Sequence, residues 1–408
     1  MGVGVSLHVT SKAAHKLMRT AHKRVSKRAE VELSRFPLSR DLIVMDLLIT
    51  IDTEADNQWV ESATLTTENT RFIPRFQYLC DRFGFKPTYL CTYEMVTDTR
   101  FQDIVGPYQE SGRAEIGAHL HPWSNPPFDP ARGDSTEHHT YPHELPIDLF
   151  EQKMAVLTGA ISEAFGRAPT SYRAGRYGFH AAHADVLLRL GYVVDCSVAP
   201  YHSWKATPGM PGGSGGPDFR VTRPGAYFLD REDDTGAGED RLLEVPITIL
   251  FTRWPLRSWL RGQRWWIDNT YGRPGRLLKK MEHAPHAPRW LRPGWLLRKL
   301  GYAPCWFRPT KDQTACQLIA IHREARRQGL PYVMMLFHSS ELMPAGSPNF
   351  PDEASIEALY ETFEAVFQHV AADGDRGVTL SEFVGQYRRA VHVTPRGRAH
   401  YSEGKGSP

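Results

Sequence analysis

The 408-residue sequence is poor in cysteine. Its five thiols, Cys80, Cys91, Cys196, Cys305 and Cys316, form an odd, scattered set with no C-x-x-C pair. That argues against a disulfide framework and reads as reduced thiols in a cytoplasmic protein. No run approaches the roughly 18 consecutive apolar residues of a spanning helix, and the N-terminus lacks the apolar core of a secretory signal. There is no internal repeat. The remaining composition is ordinary for a globular protein, and a single α/β barrel with insertions accounts for the length.

The net charge of +3 is unevenly spread. Residues 1–40 hold nine Lys/Arg against two Glu, and residues 253–308 hold thirteen Lys/Arg against Asp268 and Glu282. Two basic segments therefore sit on an acidic body, which points to an anionic surface or partner for them. The second segment also carries seven of the ten tryptophans. Indole rings among Lys/Arg on short helices fit a membrane interface; a basic lid folding its tryptophans onto the body fits equally well. No nucleic-acid module accompanies the charge, so nucleic acid is not an expected partner. Residues 1–40 read as a solvated tail or an amphipathic surface helix.

From Asp41 a rhythm of strand, loop and helix begins. Strands are predicted at Leu47–Ile51, Thr88–Cys91, Glu115–His119, Ser171–Arg173, Tyr192–Cys196, Leu242–Ile249, Tyr332–Phe337 and Val378–Leu380. Helices are predicted at Glu68–Phe83, Phe101–Glu110, from a cap at Asp148 to Phe165, and at His180–Leu190, Lys311–Gln328, Glu353–Ala372 and Glu382–Ala390. The alternation predicts parallel strands joined by helical crossovers. Residues 200–309 interrupt it as a Gly-rich and then Trp-rich insertion, and residues 393–408 read as a tail.

Four predicted strand ends carry polar residues suited to one reaction: Asp52 and Glu54, His119 and His121, Arg173 and Arg176, and His338. Residues i and i+2 of a strand share a face, so His119 and His121 can approach one ion. Two histidines and one carboxylate, with Glu54 favoured, predict a divalent metal, zinc by preference. A metal can polarise a carbonyl and hold a water, a nearby carboxylate can take that water's proton, a histidine opposite can protonate the leaving nitrogen, and an arginine can fix the carboxylate. This is a constellation for amide hydrolysis. Glu341, three residues after His338, and Asp56 are further polar candidates.

These stretches resemble the polysaccharide deacetylase (NodB-homology) family of carbohydrate esterases. Thr50-Ile-Asp52-Thr-Glu54 is similar to its acidic motif, Glu115-Ile-Gly-Ala-His119 to its E-I-G-x-H motif, Arg173-Ala-Gly-Arg176-Tyr177-Gly178 to its arginine motif, and Leu336-Phe-His338-Ser339 to its histidine-serine strand. The resemblance covers about residues 44–200 and 310–390. It implies a distorted (β/α)7 barrel, a divalent metal and removal of N- or O-acetyl groups from a glycan. It implies Asp52 as general base, His338 as general acid and Arg173 as the residue orienting the base, with Trp123, Arg176, Tyr177 and Glu341 as substrate-binding candidates. The sequence departs from the family at three points. Asp52-Thr53-Glu54 replaces an adjacent acidic pair, Trp123 stands where the second histidine is usual, and no D-x-x-D-W follows Gly191. The expected function is therefore a cytoplasmic, metal-dependent deacetylase acting on a lipid- or nucleotide-linked sugar, peripheral to the membrane if residues 253–308 dock there. A small-amide hydrolase on the same fold and a non-catalytic glycan binder are the alternatives.

Overall fold

The structure, a computed structural model, describes residues 44–56, 58, 65–132, 138–229, 241–252 and 303–393. The basic extension 1–40, most of the Trp-rich segment (253–302) and the tail beyond 393 lie outside the described residues.

Seven parallel strands form one curled sheet. They are β1 (Asp46–Thr53), β2 (Pro87–Cys91), β3 (Glu115–Leu120), β4 (Ser171–Ala174), β5 (Val194–Asp195), β7 (Leu243–Glu244) and β10 (Tyr332–His338), in the order β10-β1-β2-β3-β4-β5-β7. A short β6 (Tyr227–Phe228) pairs antiparallel to β7, and β11 (Arg376–Gly377) pairs with β1. Helices α1 (Ile73–Phe83), α2 (Tyr93–Val96), α3 (Thr99–Glu110), α4 (Ile147–Phe165), α5 (His183–Arg189), α6 (Ala315–Gln328), α7 (Glu353–Ala372) and α8 (Leu380–Val393) make the crossovers and close the chain. The seam between β7 and β10 is not a regular ladder. A two-stranded patch, β8 (Ile249–Leu250) against β9 (Cys305–Trp306), lies there, and Thr248 Oγ1 and the Phe307 carbonyl accept from the β10 amides of Met334 and Leu336. The architecture is the expected distorted (β/α)7 barrel.

The period of two along these strands separates two cores. Leu47, Ile49 and Ile51 of β1, Ile116 and Ala118 of β3, and Val333, Met335 and Phe337 of β10 pack outward among the helices. Leu48, Leu90, Val194, Leu243, Met334 and Leu336 fill the barrel interior. Following the interior face toward the C-terminal strand ends, the apolar residues give way to Thr50 and Asp52, His119, Arg173 and His338. The alternation that buries the core thus aims the polar side chains into one mouth. Register aligns them: Asp52 lies opposite His338, and His119 opposite Arg173.

Several elements are shorter than expected, as with the strand Tyr192–Cys196, which is Val194–Asp195, and the helix Glu68–Phe83, whose first turn Glu68–Phe72 is a 3-10 helix; three others differ for a local reason. The run Leu242–Ile249 is two short strands, because Pro246 cannot donate to a ladder. Asp148 is not a cap: α4 begins at Ile147, and Asp148 pairs with Arg132 from the first turn. The expected strand at Val378–Leu380 lies two residues earlier as β11, and Leu380 opens α8 instead.

Candidate active site

Arg173 is wholly buried at the centre of the mouth. Its guanidinium donates to Asp52 Oδ1 and Thr50 Oγ1, and its Nε to the Cys196 carbonyl. Burial works against the Asp52 charge, but Arg173, His119 and His338 outweigh it and hold the carboxyl below its usual range. Asp52 is therefore an anion with one oxygen engaged by arginine and Oδ2 directed toward His338, whose Nε2 is 3.9 Å away.

Beside this pair lie His119, His121 and Glu54. The His119 and His121 Nε2 atoms are 3.0 Å apart, and Glu54 Oε2 is 3.7 and 3.2 Å from them. All three residues are buried. A carbonyl can only accept, so the 3.0 Å contact between His119 Nδ1 and the Arg173 carbonyl places a proton on Nδ1, and in its neutral form the ring presents its lone pair on Nε2. Ligand atoms held tetrahedrally at about 2.0–2.1 Å from zinc would lie about 3.3 Å from one another. The three donor atoms have that spacing and chemistry, so the residues fit a divalent cation held by Glu54, His119 and His121. Gly175 makes room for this: a Cβ there would stand 2.4 Å from His121 Cδ2 and from the Leu120 carbonyl.

A cavity of about 160 Å³ opens over these groups, lined also by Trp123, His139, Arg176 and Tyr177. Trp123 packs on the His121 ring at 4.4 Å and stacks on His139 at 4.4 Å. Thus the indole in the place of a second histidine forms a wall beside the donor set. Arg176 donates to the His139 and Pro208 carbonyls and lies over the Tyr141 ring. Arg176 and Tyr177 have φ of 51° and 61°, in the left-handed region that costs non-glycine residues about 1–3 kcal/mol each. Burial raises the Tyr177 phenol to about 12, so it is a neutral donor.

Two candidates take other positions. Glu341, expected to bind substrate, is fully buried and does not line the cavity. It accepts from the His338 backbone amide and from Asn349, faces His338 Nδ1 at 3.3 Å, and is paired with Arg308 at 3.1 Å. Burial penalises its charge, yet Arg308 and His338 prevail and lower it to about 2. Asp56 accepts from Thr66 Oγ1, the Glu68 and Asn69 amides and the Asn69 side chain, and so anchors the turn before α1 instead of reaching the mouth. Glu115, in the E-I-G-x-H stretch, accepts from Ser171, Thr88 and the Ser381 amide and is a strut at the far end of β3. Sequence reasoning missed Arg308 and His139. Arg308 was counted only as part of a basic segment, and its position opposite Glu341 depends on the β8–β9 seam. After Gly191, where no D-x-x-D-W stands, Asp195 of β5 is buried beside Glu244 of β7, and burial with the neighbouring Asp195 charge pushes the Glu244 carboxyl well up.

The chain is similar in structure to several polysaccharide deacetylases. A Mycobacterium smegmatis protein assigned to that class aligns over 90% of this chain and 98% of its own at 14% identity, with a TM-score of 0.45. The Bc1960 peptidoglycan N-acetylglucosamine deacetylase aligns over 83% and 86% at 12% identity, with a TM-score of 0.36. The allantoinase PuuE aligns over 88% and 94% at 12% identity, with a TM-score of 0.43. No protein-family model and no curated protein matches the sequence.

Proposed function

We propose that this protein is a metal-dependent hydrolase that removes the N-acetyl (or O-acetyl) group of a glycan or of a lipid- or nucleotide-linked sugar. The observation that carries the reading is the arrangement of Asp52, clamped by Arg173, facing His338 beside the donor set of Glu54, His119 and His121. When bound there, a divalent cation supplies Lewis acidity toward the scissile carbonyl and a nearby water. Asp52, kept anionic, accepts the proton of the attacking water through Oδ2. As the carbon–nitrogen bond breaks, His338 delivers a proton from Nε2 to the departing nitrogen, giving acetate and a free amine. Glu341 fixes the ring through Nδ1. Trp123, His139 and Tyr177 wall the acyl pocket.

The small cavity favours a second reading, hydrolysis of a small cyclic or linear amide. The test is a screen of the chelated and zinc-reloaded protein. Zinc-dependent acetate release from N-acetylated sugars is expected. Zinc-dependent opening of small amides without acetate would favour the second reading. Saturable glycan binding without turnover would favour a binding protein.

The proposed setting is the inner face of the cytoplasmic membrane, supported by the basic, tryptophan-rich composition of residues 253–308. Among the described residues no helix is long and apolar enough to cross a membrane. Each Lys or Arg near an anionic surface contributes about 1 kcal/mol, screened by salt. Flotation with anionic vesicles should therefore capture the protein at low salt and fail with neutral vesicles. Absence of capture by either would retire the membrane setting.

A further inference from the structure

A second cluster of metal-ligating side chains lies at the opposite end of β1 from the candidate active site. His322 stands on α6, His369 on the last turn of α7, and Asp373 caps α7. His369 and Asp373 are four residues apart and so share a helix face. The His322 and His369 rings meet edge to face with centroids 5.0 Å apart. One Asp373 oxygen, Oδ2, lies 3.8 Å from His322 Nδ1 and 3.6 Å from His369 Nε2.

The protonation pattern decides what these atoms can accept. Asp375 Oδ1 takes hydrogen bonds from the Met45 amide and Arg326, so Asp375 is a carboxylate. Its Oδ2 is 2.8 Å from His322 Nε2, so that nitrogen carries a proton. In the neutral ring the lone pair is then on His322 Nδ1, an atom with no hydrogen-bond partner on a side chain that is 0% exposed. His369 Nε2 is likewise buried without a partner. An unpartnered buried acceptor costs about 1–3 kcal/mol. Two unpartnered buried ring nitrogens converge here on one carboxylate oxygen.

We infer that His322 Nδ1, His369 Nε2 and the Asp373 carboxylate form a second site, for a divalent transition-metal ion such as zinc or cobalt. Two imidazoles and a carboxylate select such borderline ions over the hard cations magnesium and calcium. The separations from the carboxylate oxygen are 3.6 and 3.8 Å and all three donor atoms lie within 4.8 Å of one another, so binding draws them inward toward the about 3.3 Å of a closed tetrahedral zinc site. Asp375 backs His322 as carboxylates commonly back metal-binding histidines. Asp373 is 34% exposed, which gives an entry path and a place for water as fourth ligand. Arg326 Nε, 3.8 Å from the same Asp373 oxygen, is the competing cation. An ion here would pin α6 and α7 to the start of β1, roughly 20 Å from Asp52 at the strand's other end. The site has no part in the chemistry at the mouth.

The test is cobalt binding to the whole chain, read by the visible ligand-field spectrum and by stoichiometry after gel filtration. Wild type, His119→Ala, His369→Gln, Asp373→Asn and the double variant His119→Ala/His369→Gln are compared, with circular dichroism as the check on folding. The expected counts are two ions for wild type, one for each single variant and none for the double variant. Cobalt should raise the melting temperature of His119→Ala but not of the double variant. One ion retained by His119→Ala and lost in His369→Gln supports the second site even if the mouth binds no metal. Equal stoichiometry in wild type, His369→Gln and Asp373→Asn overturns it, as does cobalt affinity weaker than millimolar in His119→Ala.

Discussion

Replacing Glu341 with glutamine removes one charge while keeping the side chain's shape. In the fold this carboxylate is fully buried against Arg308 and His338, and its pKa is about 2, compared with an ordinary value of 4.5. At about 1.4 kcal/mol per pH unit, that difference corresponds to about 3 kcal/mol of stability from the ionised form. Loss of one partner from a buried ion pair costs about the same, roughly 3–5 kcal/mol. The sign follows from a depressed carboxylate. The contribution is fully present above pH 4.5, where the unfolded chain is also ionised, and is lost as the pH falls toward 2. Urea unfolding of chelated wild type and Glu341→Gln should thus differ by about 3 kcal/mol at pH 7 and by less than half of that at pH 3. Equal differences at the two pH values, or a neutral substitution at pH 7, would refute the ion-pair origin. In that case hydrogen bonding alone would account for the seat of His338.

Asp52→Asn and His338→Ala should each lower turnover by about 10²–10⁴-fold while zinc content stays near wild type, measured by single-turnover acetate release and metal analysis. Loss of zinc in folded His338→Ala would make His338 a ligand instead. Arg173→Met should cost about 3–5 kcal/mol in chemical unfolding at pH 7, because it leaves the buried Asp52 charge unpaired. Much of that loss should be recovered in Arg173→Met/Asp52→Asn. Gly175→Ala should displace His121 and weaken zinc binding, read by competition with a chromophoric chelator.

The mouth was legible in the sequence because strand geometry has a period of two. His119-x-His121 and Asp52-x-Glu54 needed only a strand beneath them to share a face; the apolar run Leu47-Leu-Ile-Thr-Ile51 supplied it for the acids, and the short Glu115-Ile-Gly-Ala118 stretch, in step with the strand and helix alternation, supplied it for the histidines. Glu341 carried a local signal that was misread. Its position three residues after His338 is that of a capping box, and the side chain turns back to the His338 amide instead of forward to a ligand. Arg308 carried no local signal, since its partner lies 33 residues away across a seam that is not a ladder. Pro246 did carry one, because a proline within an apolar run already argues against a single strand. Asp148 shows the reverse: an acid in a first turn favours the helix dipole without being its cap.

Arg173 touches both halves of the mouth by different means. Its side chain holds Asp52, and its own carbonyl sets the tautomer of His119. A proton acceptor and a cation donor are thereby geared to the same four-residue strand. Drift of β4 by a fraction of an ångström would shift base and ligand in concert, so the two properties cannot be tuned separately. Such a linkage predicts epistasis: substitutions around β4 should act non-additively on metal affinity and turnover, and selection for a new substrate should reach the cavity wall at Trp123, His139 and Tyr177 before it reaches the strand.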